Sequence, residues 1–234
     1  RARVAKARDF GHDLEAMAAL VNERTRVVWI ANPNNPTGTW LTSDSLAGFL
    51  AELPETCVAV VDEAYTEYVE DPDFPDTTLW LDRFPNLIVT RTFSKVHGLA
   101  ALRVGYSLSH PHIADLLNRA RQPFNVNSIA QAAAIAALAD EGHIQASLAL
   151  NRRGMRQLEE GARELGIGFI PSVGNFITLD LGRPAGLIDQ ALLRAGCITR
   201  PIANYGLPNH LRVTIGNEAE NSRLLTALRA ALTS

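Results

Sequence analysis

Short β-branched runs alternate along this chain with segments whose apolar residues recur at helical spacing. The runs at 27–31, 58–61, 87–90 and 104–108 are too short for helices and apolar at consecutive positions. That is the pattern of strands buried on both faces of a parallel sheet. Between the first two runs, Leu46, Phe49, Leu50 and Leu53 fall at i, i+3, i+4 and i+7, after the capping residue Thr42 and before Pro54. This predicts an amphipathic helix with a defined start and stop. The alternation as a whole predicts βαβ units, an α/β fold with a mostly parallel sheet flanked by helices.

After about residue 140 the pattern changes. A helical stretch over 142–165 sets Ile144, Leu148, Met155 and Leu158 against a side carrying Arg152, Arg153, Arg156, Glu159 and Glu160. Strands are predicted at 175–181, 197–200 and 211–215, with a helix over 187–194 between the first two. A terminal helix is capped by Asn217, carries Glu218 and Glu220 in its first turn, and buries Leu224, Leu225, Leu228 and Leu232. The reading is a larger α/β domain over 1–145 and a smaller α+β domain over 146–234, joined through the long helix.

Composition narrows the possible partners. The 234 residues carry 22 basic and 25 acidic side chains, a net charge of −3, so neither nucleic acid nor an anionic membrane is expected to bind. No apolar run approaches the ~18 residues of a membrane span. Cys57 and Cys197 lie outside any C-x-x-C pattern and the histidines are scattered, with His110 and His112 flanking a helix start. Neither a disulfide framework nor a metal site is expected, and a reducing cytoplasm is the natural compartment. The chain opens on the basic stretch 1–8 without Met. An organellar leader would be Ser-rich, so the interior of a longer protein is the better reading.

Three segments fall at the predicted C-terminal ends of strands, where open α/β sheets bind ligands. They are NPNNPTG at 32–38, DEAY at 62–65 and RTFSK at 91–95. Singly, each has a plain explanation: a turn, a Walker-B-like acidic pair, a surface lysine. The Walker reading also needs a G-x-x-x-x-G-K-[ST] loop, and the sequence has none.

In this order, together with VVDEAY at 60–65, RTFSKVHGLAALRVGY at 91–106 and LRVTIG at 211–216, the segments resemble the fold-type-I, pyridoxal-phosphate-dependent aminotransferases. RQPFNVNSIAQAAAIAAL at 121–138 and RPIANYGLPNHLRVTIG at 200–216 resemble, within that family, the histidinol-phosphate aminotransferases. The resemblance implies pyridoxal 5'-phosphate as cofactor and assigns residue roles. Lys95 matches the lysine that condenses with the cofactor aldehyde and shuttles the substrate proton. Asp62 matches the buried carboxylate that keeps the ring nitrogen protonated. Asn35 and Tyr65 match the donors to the ring's phenolic oxygen. Thr92, Ser94 and Arg103 match the phosphate cup. On the substrate side, Arg212 matches the fork that grips a carboxylate and Arg200 an arginine for the substrate's own phosphate, with Asn35 beside them. Asn125, Asn127, Asn204 and Tyr205 are further pocket candidates. His97 is expected to be structural, and Glu63, beside Asp62, to point to the other face of its strand.

The family also has a glycine-containing loop before a phosphate-binding helix N-terminus, a ring-stacking aromatic residue and an N-terminal arm; nothing before residue 27 matches them. The chain is therefore expected to be a piece of a protein longer by on the order of a hundred residues. The implied activity is transamination of L-histidinol phosphate with 2-oxoglutarate in histidine biosynthesis, by a homodimer. A threonine-phosphate decarboxylase, an aromatic aminotransferase and a non-catalytic fragment are the alternatives.

Overall fold

The structure, a computed structural model, describes residues 1–233. The chain divides into two compact units, Arg1–Asn34 with Trp40–Ile144, and Asn35–Thr39 with Gln145–Ser234.

The first unit holds β1 (Val27–Ala31), β2 (Val58–Asp62), β3 (Leu87–Thr92) and β4 (Gly105–Ser109) in that order across one sheet. β1, β2 and β3 run parallel, while β4 pairs antiparallel with β3. A short 3-10 turn at Ala100–Leu102 lets the chain double back between them, and no crossover helix intervenes. Helix α1 (Leu14–Ala18) and helix α2 (Ser43–Glu52) precede and follow β1. Thr42 caps α2 through the Ser45 amide at 3.3 Å, and the backbone turns extended at Leu53 before Pro54. Leu46, Phe49 and Leu50 of α2 pack on Val28, Ile30, Ala59, Val61, Leu87 and Val89, each large side chain contributing about 1.5–3 kcal/mol. The alternate strand residues depart from the expected double coverage: Trp29 is 68% exposed and Val27 45%. They point away from α2, and among the described residues no buried cluster includes them. Helices α3 (Pro111–Ala120) and α4 (Ser128–Leu138) complete this unit, with Phe93, Val104, Ala130 and Ala134 as a smaller core.

Helix α5 (Glu141–Glu164) begins in the first unit and belongs to the second from Gln145 onward. The second unit's sheet is antiparallel, ordered β5 (Gly168–Ile170), β6 (Phe176–Asp180), β8 (Leu207–Thr214), β7 (Arg200–Ile202). β7 starts three residues later than the run at 197–200 suggested. Gly196 takes the left-handed conformation at φ +75°, and the Cys197 amide closes the end of helix α6 (Gly186–Arg194) on Leu192. The final helix, α7 (Glu218–Thr233), has the expected reciprocal cap between Asn217 and Glu220. Ile177, Leu179, Leu192, Leu211, Val213, Leu224 and Leu228 fill this core together with Leu158 of α5.

The segment Asn35–Thr39 joins this second unit by specific bonds. Thr178 donates its hydroxyl to the Pro36 carbonyl at 2.6 Å, and the Val173 amide donates to the Gly38 carbonyl at 3.1 Å. Gly38 sits at φ +79°, and a Cβ there would fall 2.0 Å from Ser172 Oγ, so no side chain fits. Among the described residues no helix is long and apolar enough to cross a membrane.

Candidate active site

The C-terminal edge of the parallel strands carries one set of the expected residues. β2 ends at Asp62, which is exposed; its carboxylate accepts the Ala64 amide at 3.2 Å. The buried carboxylate expected there is thus not buried in this chain: Asp62 follows the last core side chain of its strand, on the face turned away from α2. Tyr65, three residues on, is buried at 4% exposure. β3 runs out through Thr92, whose hydroxyl accepts the Ser94 amide at 3.0 Å. Lys95 follows in the turn beyond, half-buried, with Nζ 5.0 Å from the centroid of the Tyr65 ring. Its carbonyl accepts the Gly98 amide and the next one, of Val96, bonds the His143 ring at 3.0 Å. The turn that presents the amine is therefore held on both sides.

Arg103 closes this set. It occupies the left-handed region at φ +54° and caps the 3-10 turn by donating to the Ala100 carbonyl at 2.7 Å and the Ser94 hydroxyl at 3.3 Å. For a residue with a Cβ that conformation costs roughly 1–2 kcal/mol, the kind of local strain that functional sites retain. Its effect is to set a guanidinium beside the Ser94 hydroxyl.

Asn35, Arg200 and Arg212 belong to the second unit. Arg212 donates to Asn35 Oδ1 at 2.5 Å and lies 5.2 Å from the Phe176 ring centroid. The register of β7 on β8 places Arg200 directly opposite Arg212, and that of β6 on β8 places Thr178 opposite Arg212. Directly opposed residues share a sheet face, so both guanidiniums leave the face that binds 35–39. Like charges opposed in this way destabilise a sheet unless an anion sits between them. Sequence spacing alone gave no sign of this pairing.

Other candidates have local duties. Asn127 caps α4 by accepting the Ala130 amide at 2.8 Å, and Asn125 accepts from Arg121 at 3.4 Å. Asn204 and Tyr205 lie exposed on the 3-10 turn between β7 and β8. His110 caps α3. His97 is buried against the Phe93 ring, with Nε2 4.0 Å from Glu67; burial and the neighbouring His143 pull its pKa below the ordinary value. Glu63 does point to the face opposite Asp62, where Thr77 and Arg91 bind it. Among the described residues no group of three or more His, Cys, Asp or Glu could hold a metal ion.

The chain matches the family model for aminotransferase class I and II over residues 1–228, and it belongs to that family. A histidinol-phosphate aminotransferase 2 of Pseudomonas fluorescens is 60% identical over 232 residues, covering 99% of this chain and 63% of that relative. A histidinol-phosphate aminotransferase 1 of Nitrosococcus oceani is 55% identical over 97% of this chain and 61% of its own length. The chain thus spans under two thirds of these curated relatives. Among solved structures, the histidinol-phosphate aminotransferase of Sinorhizobium meliloti in complex with pyridoxal-5'-phosphate superposes with a TM-score of 0.91 at 34% identity, over 99% of this chain and 64% of that one. These are fold-type-I enzymes, as the sequence implied.

Proposed function

We propose that this chain is the lysine-bearing part of a pyridoxal-phosphate-dependent aminotransferase that takes L-histidinol phosphate as amino donor and 2-oxoglutarate as acceptor, in cytoplasmic histidine biosynthesis. The observation that carries the proposal is the gathering, in one unit, of the Lys95 amine over the Tyr65 ring with the Thr92, Ser94 and Arg103 side chains. An amine suits an aldehyde, and hydroxyls with a guanidinium suit a phosphate, so the donor set fits the cofactor. Bound pyridoxal phosphate supplies an aldehyde for amines and a ring that withdraws electrons from the substrate α-carbon. Thr92, Ser94 and Arg103 would hold its phosphate, Asp62 would accept from the ring nitrogen, and Tyr65 would donate to the phenolic oxygen. Lys95 Nζ carries the proton to and from the α-carbon.

Arg200, Arg212 and Asn35 take the substrates. The donor brings a phosphate dianion and the acceptor two carboxylates, and either relieves the opposition of the two guanidiniums. We place the working assembly as a homodimer, by kinship with the family. The test is to add pyridoxal phosphate and record the visible Schiff-base absorption. A band in the parent chain that vanishes in Lys95→Ala is expected; a band indifferent to that substitution, or no band, overturns the assignment. Assays with histidinol phosphate then set transamination apart from carbon dioxide release, which would mark a decarboxylase, and from preference for aromatic amino acids. Sedimentation gives the assembly state.

A further inference from the structure

Glu63 is a fully buried carboxyl held by two side chains, and none of the roles assigned above uses it. The strand's alternation sends Asp62 and Glu63 to opposite faces; Asp62 is exposed, whereas Glu63 is 0% exposed. One Glu63 oxygen, Oε2, accepts both Nε of Arg91 at 2.9 Å and a terminal guanidinium nitrogen at 2.7 Å. The other accepts the hydroxyl of Thr77, itself fully buried on a 3-10 turn. Arg91 is held further by Asp76 at 3.6 Å and lies opposite Tyr106 in the β3–β4 register. Behind these side chains, the Glu63 amide donates to the Thr90 carbonyl at 2.9 Å. Side-chain and backbone bonds therefore tie the end of β2 to the end of β3 at the same level.

A buried ion pair is a poor way to gain stability, because desolvating two charges consumes most of their attraction and a well-packed apolar pair does as well. Its use lies in direction: a guanidinium fork and a carboxylate meet in few orientations. The residues next to the fork are those of the site. Asp62 precedes Glu63, and Thr92 follows Arg91 and leads through Ser94 to Lys95. We propose that Glu63 is a positioning residue: through Arg91 and Thr77 it fixes the end of β2 against the end of β3 and so sets the spacing of Asp62 from the Thr92–Ser94–Lys95 turn. This rests on the function proposed above for what that spacing serves, but the geometry it asserts is a property of the protein alone.

The test is hydrogen–deuterium exchange on the cofactor-free chain, comparing the parent with Glu63→Gln and with Arg91→Lys, which keeps the charge and loses the fork. Expected in both variants is exchange faster by roughly tenfold or more at residues 62–66 and 92–96, with the amides of α2 and of β1 within about twofold of the parent. A uniform rise across the whole first unit would reduce Glu63 to general stability and overturn the proposal, as would no change at all. If Glu63→Gln does not fold, Arg91→Lys and Thr77→Val carry the same comparison. Pyridoxal phosphate is then added as a second arm. A displaced pH midpoint of the Lys95-dependent band in Glu63→Gln is expected, and an unmoved midpoint counts against the positioning role. Absence of that band in the parent overturns the proposed function instead, and the exchange pattern still decides whether Glu63 positions Asp62.

Discussion

His12 lends its ring Nε2 to the Ala31 carbonyl at 2.9 Å from a half-buried position, and burial pulls its pKa below the ordinary 6.5. The unfolded chain then binds this proton more readily than the folded one, so the folded state loses stability as pH falls from 6.5 through the depressed value. His97 acts with the same sign, while the raised carboxyls of Glu63 and Glu67, lifted mainly by burial, act with the opposite sign. A difference measurement separates them. His12→Gln keeps a donor for Ala31 without a titrating ring. In melts from pH 8 to pH 5 the parent is expected to lose ground against this variant as pH drops through 6.5, and a constant gap would contradict the linkage. The residue scale also marks the limit of sequence reading. The order of NPNNPTG, DEAY and RTFSK was legible, as was the turn of Glu63 to the strand face opposite Asp62. That Arg91 reaches back to grip Glu63 was not, because the partners are 28 positions apart and only the β2–β3 register aligns them.

At the scale of elements, helix α5 shows what periodicity finds and what it overlooks. Leucine and methionine spacing gave its extent, but its buried positions also include Gly154 and Gly161, which carry little hydropathy signal. A Cβ on Gly154 would lie 2.5 Å from Ile215 Cγ2 and 2.8 Å from the Gly216 carbonyl, whereas the nearest atoms to one on Gly161 belong to the movable Leu225 side chain, at 2.5 Å. Alanine gains about 1 kcal/mol of helix propensity at either site, against an overpacking cost of roughly 1–3 kcal/mol where neighbours cannot yield. Gly154→Ala is therefore expected to lose up to about 2 kcal/mol in denaturant titration, and Gly161→Ala to be no less stable than the parent and to gain up to about 1 kcal/mol. Equal losses would show that the Gly216 backbone is not the obstacle. The strands were legible for a similar reason and with similar gaps. β5 spans only three residues, and the run at 197–199 is strand-like in composition yet serves to close α6.

At the scale of the molecule, the change of pattern near residue 140 is legible in the sequence, and the two larger cores each draw on apolar residues that are local in sequence. The attachment of Asn35–Thr39 to the second unit is less legible, because besides the Arg212–Asn35 side-chain bond it rests on two backbone carbonyls, of Pro36 and Gly38. Backbone acceptors are present at every residue and leave no mark in composition. The second unit is consequently discontinuous in the gene although continuous in space. A polypeptide beginning at Gln145 removes the acceptor of the Thr178 hydroxyl, a net loss of about 0.5–1.5 kcal/mol for that bond. Such a fragment is expected to melt below a version in which residues 35–39 are restored through a short fused linker, and equal melting would show the strap to be dispensable. A single crossover near residue 145 between relatives therefore yields a chimera whose strap and sheet come from different ancestors, joined at Pro36 and Gly38 through carbonyls that either ancestor's backbone supplies.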